Sequence, residues 1–212
     1  MPETRTRRGL TRLSHRGRAF AATGLVLAVT AGVLWWRADR QQAPAPVAVP
    51  QRVCDGSVSA DSLGKLLPER GNPYQEYLSE GPAQTHVSTW CTVHGGGATV
   101  TFFYVREMIP DGFEQQLAKR LKRQENAPLT WGPVKGWGND TGAHLYVDCP
   151  DEELGLVQQV HVEVGYSKPL EHRVDDVRAV LGQLVADGAR YVAKGLKCKG
   201  ADNLPTGPAT FG

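Results

Sequence analysis

The chain has 212 residues, 41% of them hydrophobic and 22% charged, with a formal net charge of +2. The charge is uneven: Met1 to Trp36 carries six arginines (Arg5, Arg7, Arg8, Arg12, Arg16, Arg18) against Glu3, whereas Gln41 to Gly212 holds sixteen basic against twenty acidic residues. Such a length suits one ordinary domain with an added segment, and a mildly acidic body without a basic stripe argues against nucleic-acid binding.

Residues 1–18 are polar and basic and read as a short cytoplasmic segment. They lead into Ala19–Trp36, AFAATGLVLAVTAGVLWW, which carries no charge. About 20 mostly apolar residues cross a bilayer as a helix, so this stretch is just long enough. A cleaved signal peptide and a buried core helix are the competing readings. Trp35 and Trp36 followed by Arg37 form an interfacial belt, and the small-x-small site Ala43-Pro44-Ala45 runs into Pro46, so an uncleaved anchor is expected. The arginines then keep the N-terminus cytoplasmic and place the body outside. Residues 37–51 include QQAPAPVAVP, a proline-rich spacer.

The folded domain is expected over residues 52–200, with 201–212 as a loose tail. Ser59–Leu67 reads as a short helix with Ser59 as its N-cap and Pro68 beyond its end. His86–His94 and Ala98–Arg106 are alternating strands around Gly95-Gly96-Gly97, a hairpin signature. Phe113, Leu117 and Leu121 give Asp111–Glu125 an apolar helical stripe. A glycine-rich loop containing Trp131 and Trp137 follows. Two more strands, Ala143–Cys149 and Leu154–Tyr166, precede a long amphipathic helix from Arg173 to Lys194 with Asp175 and Asp176 at its start. The pattern predicts an α+β fold: two strand–strand–helix units forming an antiparallel sheet covered by helices on one face. An all-β sandwich is the alternative.

All four cysteines, Cys54, Cys91, Cys149 and Cys198, follow the apolar stretch, as expected in an oxidising compartment. The expected pairs are Cys54–Cys91 and Cys149–Cys198, because Cys91 and Cys149 fall on the core side of their strands while Cys54 opens the domain and Cys198 closes it. His94-Gly95-Gly96-Gly97 matches an oxyanion-loop sequence by letter, but no nucleophile elbow accompanies it, so it reads as the hairpin turn. His86, His144 and His161 fall on outer strand faces and would gather around a metal only if those strands were neighbours. Exposed histidines without a ligand are the expectation, with no catalytic residue, metal or cofactor assigned. Asp148 with Asp151, Glu152 and Glu153 reads as a solvated acidic turn. Trp131 and Trp137 are candidates for ligand contact, with packing at the core edge as the more usual role.

Cys54-Asp55, Leu66-Leu67-Pro68, Trp90-Cys91, the Gly142-Ala143…Cys149 strand and the closing Leu196-Lys197-Cys198 resemble small anchored or secreted extracytoplasmic proteins of streptomycetes and other actinobacteria. The resemblance implies a cell-envelope location and two disulfides, and brings no functional residues with it. The expected role is a membrane-anchored binding module for an envelope protein, peptide or cell-wall component, with an extracytoplasmic hydrolase or transferase as the alternative. Oligomeric state stays open.

Overall fold

A computed structural model describes Val33 and residues 44–79, 88–107, 112–149, 159–168 and 176–212. The chain divides into two compact units, Met1–Ala43 and Pro44–Gly212. Of the first, only Val33 is described, as a helical residue. The expected spanning helix Ala19–Trp36, including Trp35 and Trp36, otherwise lies outside the described residues. No helix among the described residues is long and apolar enough to cross a membrane.

The second unit is α+β. Its strands are β1 (Gln75–Leu78), β2 (Ser88–Gly95), β3 (Ala98–Glu107), β4 (Ala127–Trp131), β5 (Val134–Asn139), β6 (Gly142–Asp148), β7 (Gln159–Ser167) and β8 (Thr210–Phe211). The helices are α1 (Ala60–Gly64), α2 (Phe113–Leu121) and α3 (Val177–Gly195). All eight strands join one sheet in the order β1-β2-β3-β7-β6-β5-β4-β8, and every neighbouring pair is antiparallel.

Period-two alternation decides which face is inside. Val100, Phe102 and Tyr104 of β3, Val160, Val162 and Val164 of β7, and Ala143, Leu145 and Val147 of β6 are all buried on one face. The register sets Phe102 opposite Val164 and Val162 opposite Leu145, so the apolar rows line up across strands. Gly96 and Gly97 close the β2–β3 hairpin at φ +63° and +92°, the positive values that such a turn requires.

Helix α3 covers that face. Leu181, Leu184, Val185, Ala189 and Val192 form its buried stripe. Asp176 caps it, its carboxylate accepting a bond from the Ala179 N–H at 3.4 Å. In α1 the expected cap is in place, with Ser59 Oγ accepting from the Ser62 N–H at 3.3 Å.

Both disulfides form as expected. Cys54–Cys91 ties the turn Cys54–Gly56 to β2 across 5.7 Å between Cα atoms, and Cys149–Cys198 ties the end of β6 to the segment after α3 across 4.7 Å.

Four expectations are corrected. First, the helices do not share one face: α2 lies against the opposite side, where Phe113 contacts Tyr146 and Arg120 covers Trp137. Second, the Trp131–Trp137 stretch is a β4–β5 hairpin rather than a loop, because Gly132 at φ +58° serves the turn and the tryptophans lie on strands. This extra hairpin separates the two strand–strand–helix units, so the sheet is not a plain duplication.

Third, the folded unit begins at Pro44 instead of Arg52. Val47 and Val49 pack on the core, Pro46 bridges to Arg70, and the Val47 N–H donates to the Glu69 carbonyl at 2.8 Å. Fourth, 201–212 is not loose. Arg190 donates to the carbonyls of Pro205 and Gly207 at 2.8 and 3.2 Å, and its guanidinium covers the Trp131 ring. Trp131 Nε1 donates to Gly207 O at 2.9 Å, Ala209 is buried against Gly182, and β8 pairs with β4. The polar composition of this segment hid partners that the fold supplies from far along the chain.

Candidate functional site

Two places on the domain combine accessible position with unusual chemistry. The first is the sheet face turned away from α3. Strands β6 and β7 are neighbours, with His144 opposite Glu163 and Tyr146 opposite His161. Both histidines therefore project from the same face, as do Glu163 and Tyr146, since outward residues recur every second position.

On this face His144 Nδ1 lies 3.1 Å from His161 Nε2 and 3.6 Å from Glu163 Oε2. The remaining ring nitrogen of His161, Nδ1, lies 3.5 Å from Glu107 Oε1 at the end of β3. Aromatic rings fix both imidazoles. Trp137 stacks on His144 with centroids 3.7 Å apart and planes 14° apart, and Tyr146 stacks on His161 at 4.4 Å and 4°. Arg120 of α2 lies 5.5 Å from the centroid of the Trp137 ring, on a further layer.

Burial, reinforced by the positive charges that His161 and Arg120 carry when protonated, pushes His144 down to about 3. The imidazole is thus neutral at ordinary pH. The hydrogen bond from His161 holds the Glu107 carboxyl below the usual carboxylate range, despite an opposing contribution from burial. The side chains of His144 and His161 are each 12% exposed and that of Glu163 is 39% exposed, so the cluster opens to solvent on the Glu163 side.

The second place is the β1 edge, which has no further strand partner among the described residues. Tyr77, Leu78 and Trp90 are 50%, 43% and 42% exposed, unlike the other large hydrophobic residues of the domain's described part. Ser79 extends the β1–β2 ladder, with its N–H donating to the Trp90 carbonyl at 3.0 Å and its Oγ accepting from the Trp90 N–H at 2.7 Å. Next to Tyr77 lies a groove of about 500 Å³, bordered by Asn72, Pro73, Gln75, His94 and Thr99. His94 Nδ1 lies 2.9 Å from Thr99 Oγ1, and the Tyr77 ring meets the His94 ring edge-on at 5.6 Å. A wider cleft of about 1050 Å³ lies between the chain entry and α1, lined by residues including Val47, Val49, Asp55, Asp61 and Tyr191.

The sequence candidates are distributed as follows. Trp131 is 2% exposed and belongs to the core; Trp137 is 9% exposed beneath α2. Neither offers its ring to a ligand at the surface. His144 and His161 come together, whereas His86 lies outside the described residues. Asp148 accepts a hydrogen bond from Gln159 Nε2 at 2.7 Å and stands apart from the histidine pair. Cys54, Cys91 and Glu76 also converge, but both sulfurs are committed to the disulfide, and Glu76 accepts from the Cys54 N–H at 2.9 Å.

Sequence reasoning missed Glu107, Tyr146 and Arg120 around the histidines, and the apolar edge at Tyr77, Leu78 and Trp90. The i, i+2 pairs His144/Tyr146 and His161/Glu163 were visible signals; the strand register that joins them was not. Comparison of the chain with family models, curated proteins and solved structures finds no match.

Proposed function

We propose that this chain is an extracytoplasmic binding module, held at the cell membrane through Ala19–Trp36, that takes up an extended peptide segment of another envelope protein along the β1 edge. The observation that carries this reading is the exposure of Tyr77 and Trp90 on one face of the sheet margin and of Leu78 on the other, where β1 has no further strand partner among the described residues. An edge strand offers backbone donors and acceptors to an added strand, and apolar side chains exposed on both faces beside it give the side chains of that strand surfaces to pack on. Two disulfides support an oxidising location, and the arginine-flanked apolar segment supports the anchor.

A photo-crosslinking residue placed at Tyr77, and in parallel at the exposed Lys194 after the α3 stripe, tests this in cells that produce the full chain. One envelope protein should be captured from position 77 and not from 194. A peptide covering the captured segment should then bind the full chain, and Trp90→Ala should weaken it by about tenfold or more. Equal capture from both positions, or capture of glycan alone, overturns the reading.

The second reading, an extracytoplasmic hydrolase or transferase, is favoured by the contact of His144, His161 and Glu163. It predicts turnover of an ester or amide panel that His161→Ala abolishes.

A further inference from the structure

The histidine cluster has more convergence than a hydrogen-bonded pair needs. His144 Nδ1 faces His161 Nε2 and Glu163 Oε2 at once, at 3.1 and 3.6 Å. A single proton on that nitrogen serves only one of the two. A cation seated among the three atoms satisfies all of them together.

The spacing fits this directly. Nitrogen and oxygen donors about 2.0–2.2 Å from a tetrahedral zinc ion are separated from one another by about 3.3–3.5 Å. The two measured separations bracket that value, and all three donor atoms lie within 4.8 Å of one another. The outer partners agree as well. Glu107, 3.5 Å from His161 Nδ1, favours the tautomer with the proton on Nδ1, which leaves the Nε2 lone pair facing the other donors. The Trp137 and Tyr146 stacks hold both rings in place before any ion arrives. Glu163 and Glu107 bring two carboxylates to a dication, and Arg120 lies over the Trp137 ring.

We propose that His144 Nδ1, His161 Nε2 and Glu163 Oε2 bind one divalent transition-metal ion of the zinc type, with Glu107 orienting His161. Three protein donors leave a fourth position, on the exposed Glu163 side, for water or for a carboxylate or carbonyl oxygen of a ligand. This site is separate from the β1 edge and stands whether or not a peptide binds there.

The test uses the untagged, disulfide-intact full chain in detergent after chelator treatment. Zinc chloride is titrated by calorimetry, and cobalt(II) is added while visible absorption is followed. One zinc ion per chain and the absorption bands of tetrahedral cobalt are expected. His144→Ala or His161→Ala should weaken zinc binding by about 100-fold or more, and Glu107→Gln by about tenfold. His94→Ala, on the same sheet face but outside the cluster, should leave it unchanged.

Circular dichroism identifies any variant that fails to fold. Glu163→Gln, a near-isosteric change at a half-exposed side chain, keeps the test open in that case and should weaken binding by at least about tenfold. Wild-type affinity no better than that of a folded His144→Ala/His161→Ala double variant overturns the proposal. So does binding that survives Glu163→Gln and His161→Ala unchanged.

Discussion

His144 and His161 stand diagonally across the β6–β7 ladder with their facing nitrogens 3.1 Å apart, and each ring is covered by an aromatic ring from a neighbouring position. Trp137, which covers His144, is itself buried, and its Nε1 has no well-formed hydrogen bond among the described residues. Leaving such a donor unpaired costs about 1–3 kcal/mol, a sizeable offset to what the ring gains by burial. Trp137→Phe removes the donor while keeping a stacked ring, so its net effect on stability should be within about 1 kcal/mol of zero. Trp137→Ala opens a void and should cost about 3–5 kcal/mol. Urea unfolding of both variants checks this; equal losses would mean that the orphan N–H has no energetic weight.

The two disulfides close segments of 37 and 49 residues. In the chain-entropy account each is worth about 4 kcal/mol. Replacing Cys149 and Cys198 together by alanine should lower unfolding free energy by about that amount and loosen the segment after α3 first. Hydrogen exchange that slackens evenly over the whole domain would contradict this order of events.

Tyr104 is 3% exposed, and its hydroxyl meets Ser57 Oγ at 3.2 Å in the core. Burial raises its ionisation above the usual tyrosine range, with Ser57 opposing the shift and the charges at Tyr191 and Asp187 adding to it. An unfolded tyrosine loses its proton near pH 10, whereas the folded one keeps it. Above pH 10 the unfolded state therefore binds fewer protons, so the stabilisation is whole below that value and falls as pH rises beyond it. Tyr104→Phe should cost about 1 kcal/mol near neutrality through the lost hydrogen bond, yet decline less steeply in alkali. Parallel guanidinium titrations between about pH 7 and pH 11 measure the two slopes; identical slopes would rule out Tyr104 as a contributor.

Gly182 on α3 has no room for a side chain: a Cβ there would lie 2.2 Å from the Ala209 carbonyl oxygen. The same carbonyl-to-helix approach lets the Ala209 N–H reach Gly182 O at 3.2 Å. Gly182→Ala should push residues 205–212 off the helix while α3 stays helical. Amide exchange at Thr210 and Phe211 should quicken markedly, and Trp131 fluorescence should shift toward that of a wetter indole. Unchanged protection at β8 would show that the helix, not the closing segment, yields.

Local patterns made the strands and the long helix readable. Alternation in Val160, Val162, Val164 and the stripe Leu181, Leu184, Val185 follow from one-dimensional periodicity and reappear in the structure. The disulfide pairing was readable because Cys91 and Cys149 fall on the inward phase of their strands. Three things depended on distant partners and left no local trace. Proline in Pro46 and Pro50 suggested a spacer, yet Val47 finds Glu69. Polar 201–212 suggested a tail, yet Arg190 and Trp131 hold it. The register that brings His144 beside His161 is set by the β6–β7 pairing, which a sequence pattern limits but does not specify.

The order of the sheet places β1 and β8 at opposite margins, seven inter-strand steps apart. At about 4.8 Å per step, that is about 34 Å along the sheet. Gly212 is fastened at the far margin, its N–H donating to the Pro128 carbonyl at 3.0 Å. A dye attached there would sit at a fixed distance from anything lying against Tyr77, in the range where resonance energy transfer changes steeply with separation. The molecule thus carries its own ruler, with occupancy at one margin readable optically from the other.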